Sequence, residues 1–182
     1  GNISFTTSGK TSVQGNLATD TLDLSPYMDA PKAAWNNPFI SNAYAVSSHW
    51  NTQPFDVSSL NAMNADVALT AAHLIAPPWN IADVKMKTNL QNGALTLNID
   101  QAKAFSGTIQ GVISATPRDD YLNTSVNLNA SGVQIEPFLK TLNNEDRISG
   151  TGNFKLAFTG RGNNQAELIS TLNGDGSVMI RD

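Results

Sequence analysis

The sequence predicts a mainly β protein: an elongated, curved antiparallel sheet, forming a groove or a half-open sandwich, with two or more short helices. Three observations carry this prediction. Large aliphatic residues alternate with polar ones over long stretches, which places them on one face of a pleated strand. Turn chemistry separates those stretches, led by Asn92-Gly93, a pair suited to the left-handed backbone of a tight hairpin. Composition agrees with both. Charged residues make up only 14% of the 182 residues, against about 25% in an ordinary domain. Asn takes up much of the difference, at about one residue in nine. Helical bundles and coiled coils draw instead on Ala, Glu, Lys, Leu and Arg.

The elements follow from these patterns. Val84, Met86 and Leu90 alternate against Lys85, Lys87 and Asn89, and Leu95, Leu97 and Ile99 alternate against Thr96, Asn98 and Asp100. With Asn92-Gly93 between them, 84–91 and 94–100 form an antiparallel hairpin. Ile109, Gly111, Ile113 and Ala115 share one face of a strand over 108–116, and the turn 117–120 leads into a strand over 121–130 carrying Leu122, Val126 and Leu128. A last pair is expected at 148–160, with Phe154, Leu156 and Phe158, and at 176–181. Helices are short. Pro137 suits the first turn of a helix over 136–142. Asn164 is an N-cap candidate for a helix over 164–172, with Gly174 just past its end. Residues 29–53, rich in Ala, Asn, Pro and Ser, read as a long loop.

The whole of 1–182 reads as a single β-rich domain. It opens directly into a strand-like segment and stops just after Val178-Met179-Ile180, so it is expected to be a fragment of a larger protein. Repeat-like units stand around 13–28, 65–79 and 124–142. Leu17, Leu69 and Leu128 each stand in a strand followed by a short irregular link, a second apolar pair and then Pro-aromatic: Pro26-Tyr27, Pro78-Trp79 and Pro137-Phe138. Repeats of this size suggest a sheet extended by adding similar units.

Several chemistries are disfavoured. A net charge of −4 with scattered Lys and Arg leaves no footprint for nucleic acid. No apolar run reaches the 18 residues of a membrane span. Cys is absent, which removes disulfides, thiolate metal sites and Cys nucleophiles. Gly9-Lys10-Thr11 lacks the first glycine of a phosphate loop, since Ser4 stands there, and Gly150-Thr151-Gly152 lacks the third glycine of a dinucleotide fingerprint. Asn173, Asp175 and Gly176 resemble the middle of a calcium loop, but a strand follows. His49 and His73 have no ligand spacing, and the pairs Asp119-Asp120 and Glu145-Asp146 fit turn and helix-end charges better than catalytic carboxylates. Trp35, Trp50 and Trp79 fit burial better than a sugar platform. Neither a catalytic residue, a metal site nor a cofactor is expected, and the protein is read as non-enzymatic.

The order of short segments carries a resemblance. The run Leu90 to Leu97 around Asn92-Gly93, then Ala102 to Gly111, resembles the core of the AsmA family. Val133 to Leu139 stands where that family has a short helix after a strand. Ile148 to Phe154, and Leu168 to Gly174 followed by Asp175 to Asp182, are similar to its next segments, and Pro54 to Leu60 is similar to its lead-in. The resemblance implies a bacterial envelope protein: a periplasmic segment of a parent anchored in the inner membrane by an N-terminal helix. It also implies kinship with bridge-like lipid-transfer proteins and a link to outer-membrane assembly and phospholipid traffic. On this reading the partners are phospholipid acyl chains, with outer-membrane assembly proteins as the alternative. The lining candidates are Leu95, Leu97, Ile99, Ile109, Ile113, Val126 and Leu128. A scaffold that captures outer-membrane proteins by strand addition is the second reading.

Overall fold

A computed structural model describes residues 1–7, 9–28, 50–143 and 147–181. They form one open sheet of nine strands whose spatial order is the chain order. The strands are β1 (Asn2–Thr6), β2 (Thr11–Asp23), β3 (Met63–Ala76), β4 (Trp79–Gln91), β5 (Ala94–Ala104), β6 (Gly107–Arg118), β7 (Tyr121–Gln134), β8 (Thr151–Gly162) and β9 (Asn173–Arg181). Four short helices accompany them: α1 (Ser25–Met28), α2 (Ser58–Ala62), α3 (Ile135–Asn143) and α4 (Gln165–Ser170). The sheet does not close on itself, and each strand packs chiefly against its two sheet neighbours. An open single sheet, not a closed barrel, is therefore the architecture of the described residues.

The hairpin expected around Asn92-Gly93 is β4–β5, with both turn residues at positive φ. Gly174, expected beyond the C-terminus of a helix, lies inside β9. The helix already ends at Thr171, whose backbone N–H bonds back to Glu167. One pair departs from the antiparallel pattern: β2 and β3 are parallel, with Leu17 opposite Leu69 and Leu22 opposite Leu74. Short turns join the antiparallel strands from β3 to β7, whereas a parallel pair needs a long return connection, which here spans 24–62. Much of the expected 29–53 loop lies outside the described residues, as do Trp35, His49, Glu145 and Asp146.

Four strands change phase in one belt across the sheet. Ala71 and Leu74 on β3, and Val84 and Ile81 on β4, turn inward at a spacing of three rather than two. Asp83 supplies the left-handed backbone between the last two, at φ 48. Register irregularities fall between Ile99 and Ala102 on β5 and between Ala130 and Val133 on β7. Extra residues of this kind bend a strand and strengthen its twist. The small core sits on this belt: Ala71, Leu74 and Val84, with Leu22, Leu24, Ile81 and Met86 packed around them.

Candidate functional site

Residues paired across neighbouring strands share a face, so the register sorts side chains without ambiguity. Leu95, Leu97 and Ile99 stand opposite Leu90, Thr88 and Met86 on one side and Ala115, Ile113 and Gly111 on the other. Ile113 continues to Val126 and Phe158, and Gly111 continues to Leu128 and Leu156. Ile109 stands beside Ala102 and Ala130. All seven sequence-derived lining residues therefore lie on the same face of β5, β6 and β7, and each is half-buried. Val67 and Leu69 on β3 and Val178 and Ile180 on β9 extend the same face outwards. Thr96, between Asn89 and Ser114, belongs to the other face.

This apolar face has two rims. At one, α3 turns back over the sheet directly after β7, with Ile135 buried and its N–H donated to the Gly150 carbonyl. Phe138 on α3 touches Trp79 from β4 (6.4 Å between ring centroids), Phe105 from the β5–β6 turn (5.6 Å) and Phe154 from β8 (5.8 Å). Side chains standing upright on a flat sheet would hold β4 and β8 rings about 19 Å apart. Here one ring bridges them, so the aromatic side chains converge over a concave surface. Trp79, half-buried, also meets Phe105 edge-on at 5.7 Å between ring centroids.

At the opposite rim α4 lies against Gly160 and Gly162, where a Cβ would meet Leu168 and Glu167. Asn164 caps this helix: its Oδ1 accepts the Glu167 N–H at 2.9 Å, and its Nδ2 donates to Glu167 Oε1. The segment before α2 is tied to the same rim. Phe55 N–H donates to the Asn163 carbonyl and Ala166 N–H to the Asn51 carbonyl. Sequence reasoning missed this tie, because its hydrogen bonds join residues more than a hundred positions apart.

Between the rims the apolar face carries no ionisable side chain among the described residues. It can desolvate apolar groups and offers nothing to exchange a proton. The opposite face is polar and holds the ion pairs Lys87–Asp100 (3.9 Å) and Lys103–Asp83 (2.7 Å). The hydrogen bond and charge of Lys103 hold the Asp83 carboxyl below the usual carboxylate range. Asp23 is lowered by hydrogen bonds from Ser25. Among the described residues no cluster of His, Asp and Glu is arranged to hold a metal ion. His73 is exposed on β3.

The AsmA family profile matches residues 4–182, essentially the whole chain. The chain belongs to the AsmA family. That family is associated with the bacterial envelope. No curated protein and no solved structure matches the chain. This AsmA-family chain has no described helix long and apolar enough to cross a membrane.

Proposed function

We propose that this chain is a periplasmic groove module that shields or conveys phospholipid acyl chains between the inner and outer membranes, and so supports outer-membrane assembly. The observation that carries the reading is the one-sided sheet. Its aliphatic face runs from strand to strand, and among the described residues no second layer covers it. Each acyl methylene moved from water onto such a face gains about 0.8 kcal/mol when fully buried. The gain is non-directional, so the face would accept chains without selecting them atom by atom. On this proposal the parent protein is anchored in the inner membrane and the module works without chemistry of its own.

The test is a photo-crosslinking residue at Leu97 in the full-length parent, with Thr96 as the opposite-face control, irradiated in living cells. Lipid adducts at 97 and none at 96 support the groove; adducts at neither position overturn it. A second reading draws on the sheet edges. Every residue of β9 is exposed, leaving its outer backbone groups available for strand addition by an outer-membrane protein. Protein adducts from a crosslinker at Ser177, in cells where Leu97 gives no lipid adduct, would favour that scaffold role.

A further inference from the structure

A second recess lies on the polar face, behind the apolar groove, where β6 to β9 approach the α4 rim. It is a shallow, open recess of about 440 Å³, and Asn123, Arg161 and Asn173 within it are exposed. Two neighbouring rows of the register line it. Thr116, Asn123 and Arg161 stand side by side on β6, β7 and β8, and Ser125, Thr159 and Asn173 form the next row on β7, β8 and β9. Thr171 clamps the backbone beneath Arg161 from both sides: its hydroxyl accepts the Arg161 N–H at 2.8 Å and donates to the Arg161 carbonyl.

The charge of this recess is unbalanced. Among the described residues neither Asp nor Glu lines it, and the described ion pairs join other residues. Asp175, the acidic side chain further along β9, lines the adjoining recess together with Lys155. Thr159 and Ser125 are already engaged, the first donating to the Asn173 carbonyl and the second accepting from Asn127. A guanidinium without a counter-ion pairs best with a planar or tetrahedral oxyanion, which it can meet through two parallel N–H bonds. The surrounding hydroxyls and amides recur at about 4.8 Å across strands and about 6.8 Å along them, a spacing suited to the hydroxyls of a small polyol. The recess has no aromatic ring on which a neutral sugar would stack, so charge must carry the recognition.

We infer that this recess binds a phosphorylated polyol, its phosphate on the Arg161 guanidinium and its hydroxyls on Thr116, Asn123 and Asn173. The same chemistry is offered by a soluble sugar or glycerol phosphate and by the headgroup of an anionic phospholipid. The site is separate from the apolar face, so its failure would leave the groove reading untouched.

The test is an NMR titration of this chain with glycerol 3-phosphate, inorganic phosphate and glycerol. Glycerol 3-phosphate is expected to shift the Arg161 side-chain signal and the Asn123 and Asn173 amides, with a Kd on the order of 1 mM. Inorganic phosphate should act more weakly, and glycerol not at all. Arg161→Gln should weaken binding about tenfold or more, while Arg181→Gln, at the far end of β9, leaves it unchanged. Sedimentation with phosphatidylglycerol or phosphatidylcholine vesicles then separates the sources. Retention by phosphatidylglycerol alone, lost in Arg161→Gln, assigns a lipid headgroup; binding of glycerol 3-phosphate without vesicle retention assigns a soluble ligand. The inference is overturned if glycerol shifts the same signals as its phosphate, if Arg161→Gln binds like wild type, or if nothing shifts.

Discussion

Val84 and Val178 lie on the same apolar face yet live in different solvents. Val84, on the belt where β4 bends, is 1% exposed; Val178, on the outermost strand, is 59% exposed. A single row of the register runs from Ala102, on the strand next to Val84's, through Ile109, Ala130 and Phe154 to Val178. Burial falls along that row because packing partners fall away. Leu22, Leu24, Ile81 and Met86 pack around the small core that holds the first valine, whereas among the described strands β9 has β8 as its one neighbour. The apolar face is therefore a core at one end and an open surface at the other. Its alternation records only which side of the sheet a residue takes.

The sharpest way to break the comparison is to place the same charge in both regions. Val84→Asp should cost about 3–5 kcal/mol in urea unfolding, because the carboxylate is buried without a partner. Val178→Asp should stay within about 0.5 kcal/mol. Equal losses would mean that β9 is packed as tightly as β4.

Glycines on the same face sharpen it further. A Cβ at Gly111 would sit 2.1 Å from the Asn127 carbonyl oxygen, so Gly111→Ala forces two central strands apart and should cost about 2 kcal/mol or more. At Gly176 the nearest atom is 3.4 Å away, at the end of the Leu156 side chain, so Gly176→Ala should be neutral within about 0.5 kcal/mol. Thermal unfolding of the two variants side by side reads the difference.

Smaller effects probe the rims. Asn164→Ala removes the cap that starts α4 and should cost about 1 kcal/mol. Hydrogen exchange should rise in α4 while the Val84 belt stays protected; a rise in both would show that the rim and the core unfold together. Asp83 gives the smallest effect, although it is adjacent to Val84 in sequence, because it is exposed. Its folded pKa lies below the unfolded value, so its contribution is present above about pH 4 and is lost as pH falls through the folded pKa. Asp83→Asn should therefore lower stability slightly at neutral pH, leave it unchanged at the acid end and so flatten the acid limb by the same small amount; an unchanged acid limb would show that the Lys103 contact is not maintained in solution.

The same comparison explains what was legible in the sequence. Alternation places Leu97 and Val126 on one face whether or not anything covers them, so the strands and the face these residues share were readable. So was Asn164, because a cap acts through residues three positions away. The phase change at Asp83 and the tight turn at Phe105 and Ser106 were not: none of these is a glycine, although each takes a left-handed backbone. The parallel partnership of β2 and β3 was also hidden, since a strand's pattern does not name its neighbour. The recess around Arg161 escaped for a related reason. Asn123 and Ser125 lie in an Asn-Thr-Ser triplet that pattern alone marks for glycosylation, and only the cross-strand register sets them beside Arg161.

From β3 onward, chain order and spatial order coincide and neighbouring strands alternate in direction. Such a sheet can be lengthened like a tape. One inserted hairpin widens it by about 10 Å, returns the chain to the same rim and leaves every later residue on its original face. A single inserted strand would instead exchange the rims for everything downstream, unless a crossover restored the direction. The link from β2 to β3 is such a crossover, making it the point where strands could be gained or lost one at a time without turning the rest of the molecule around.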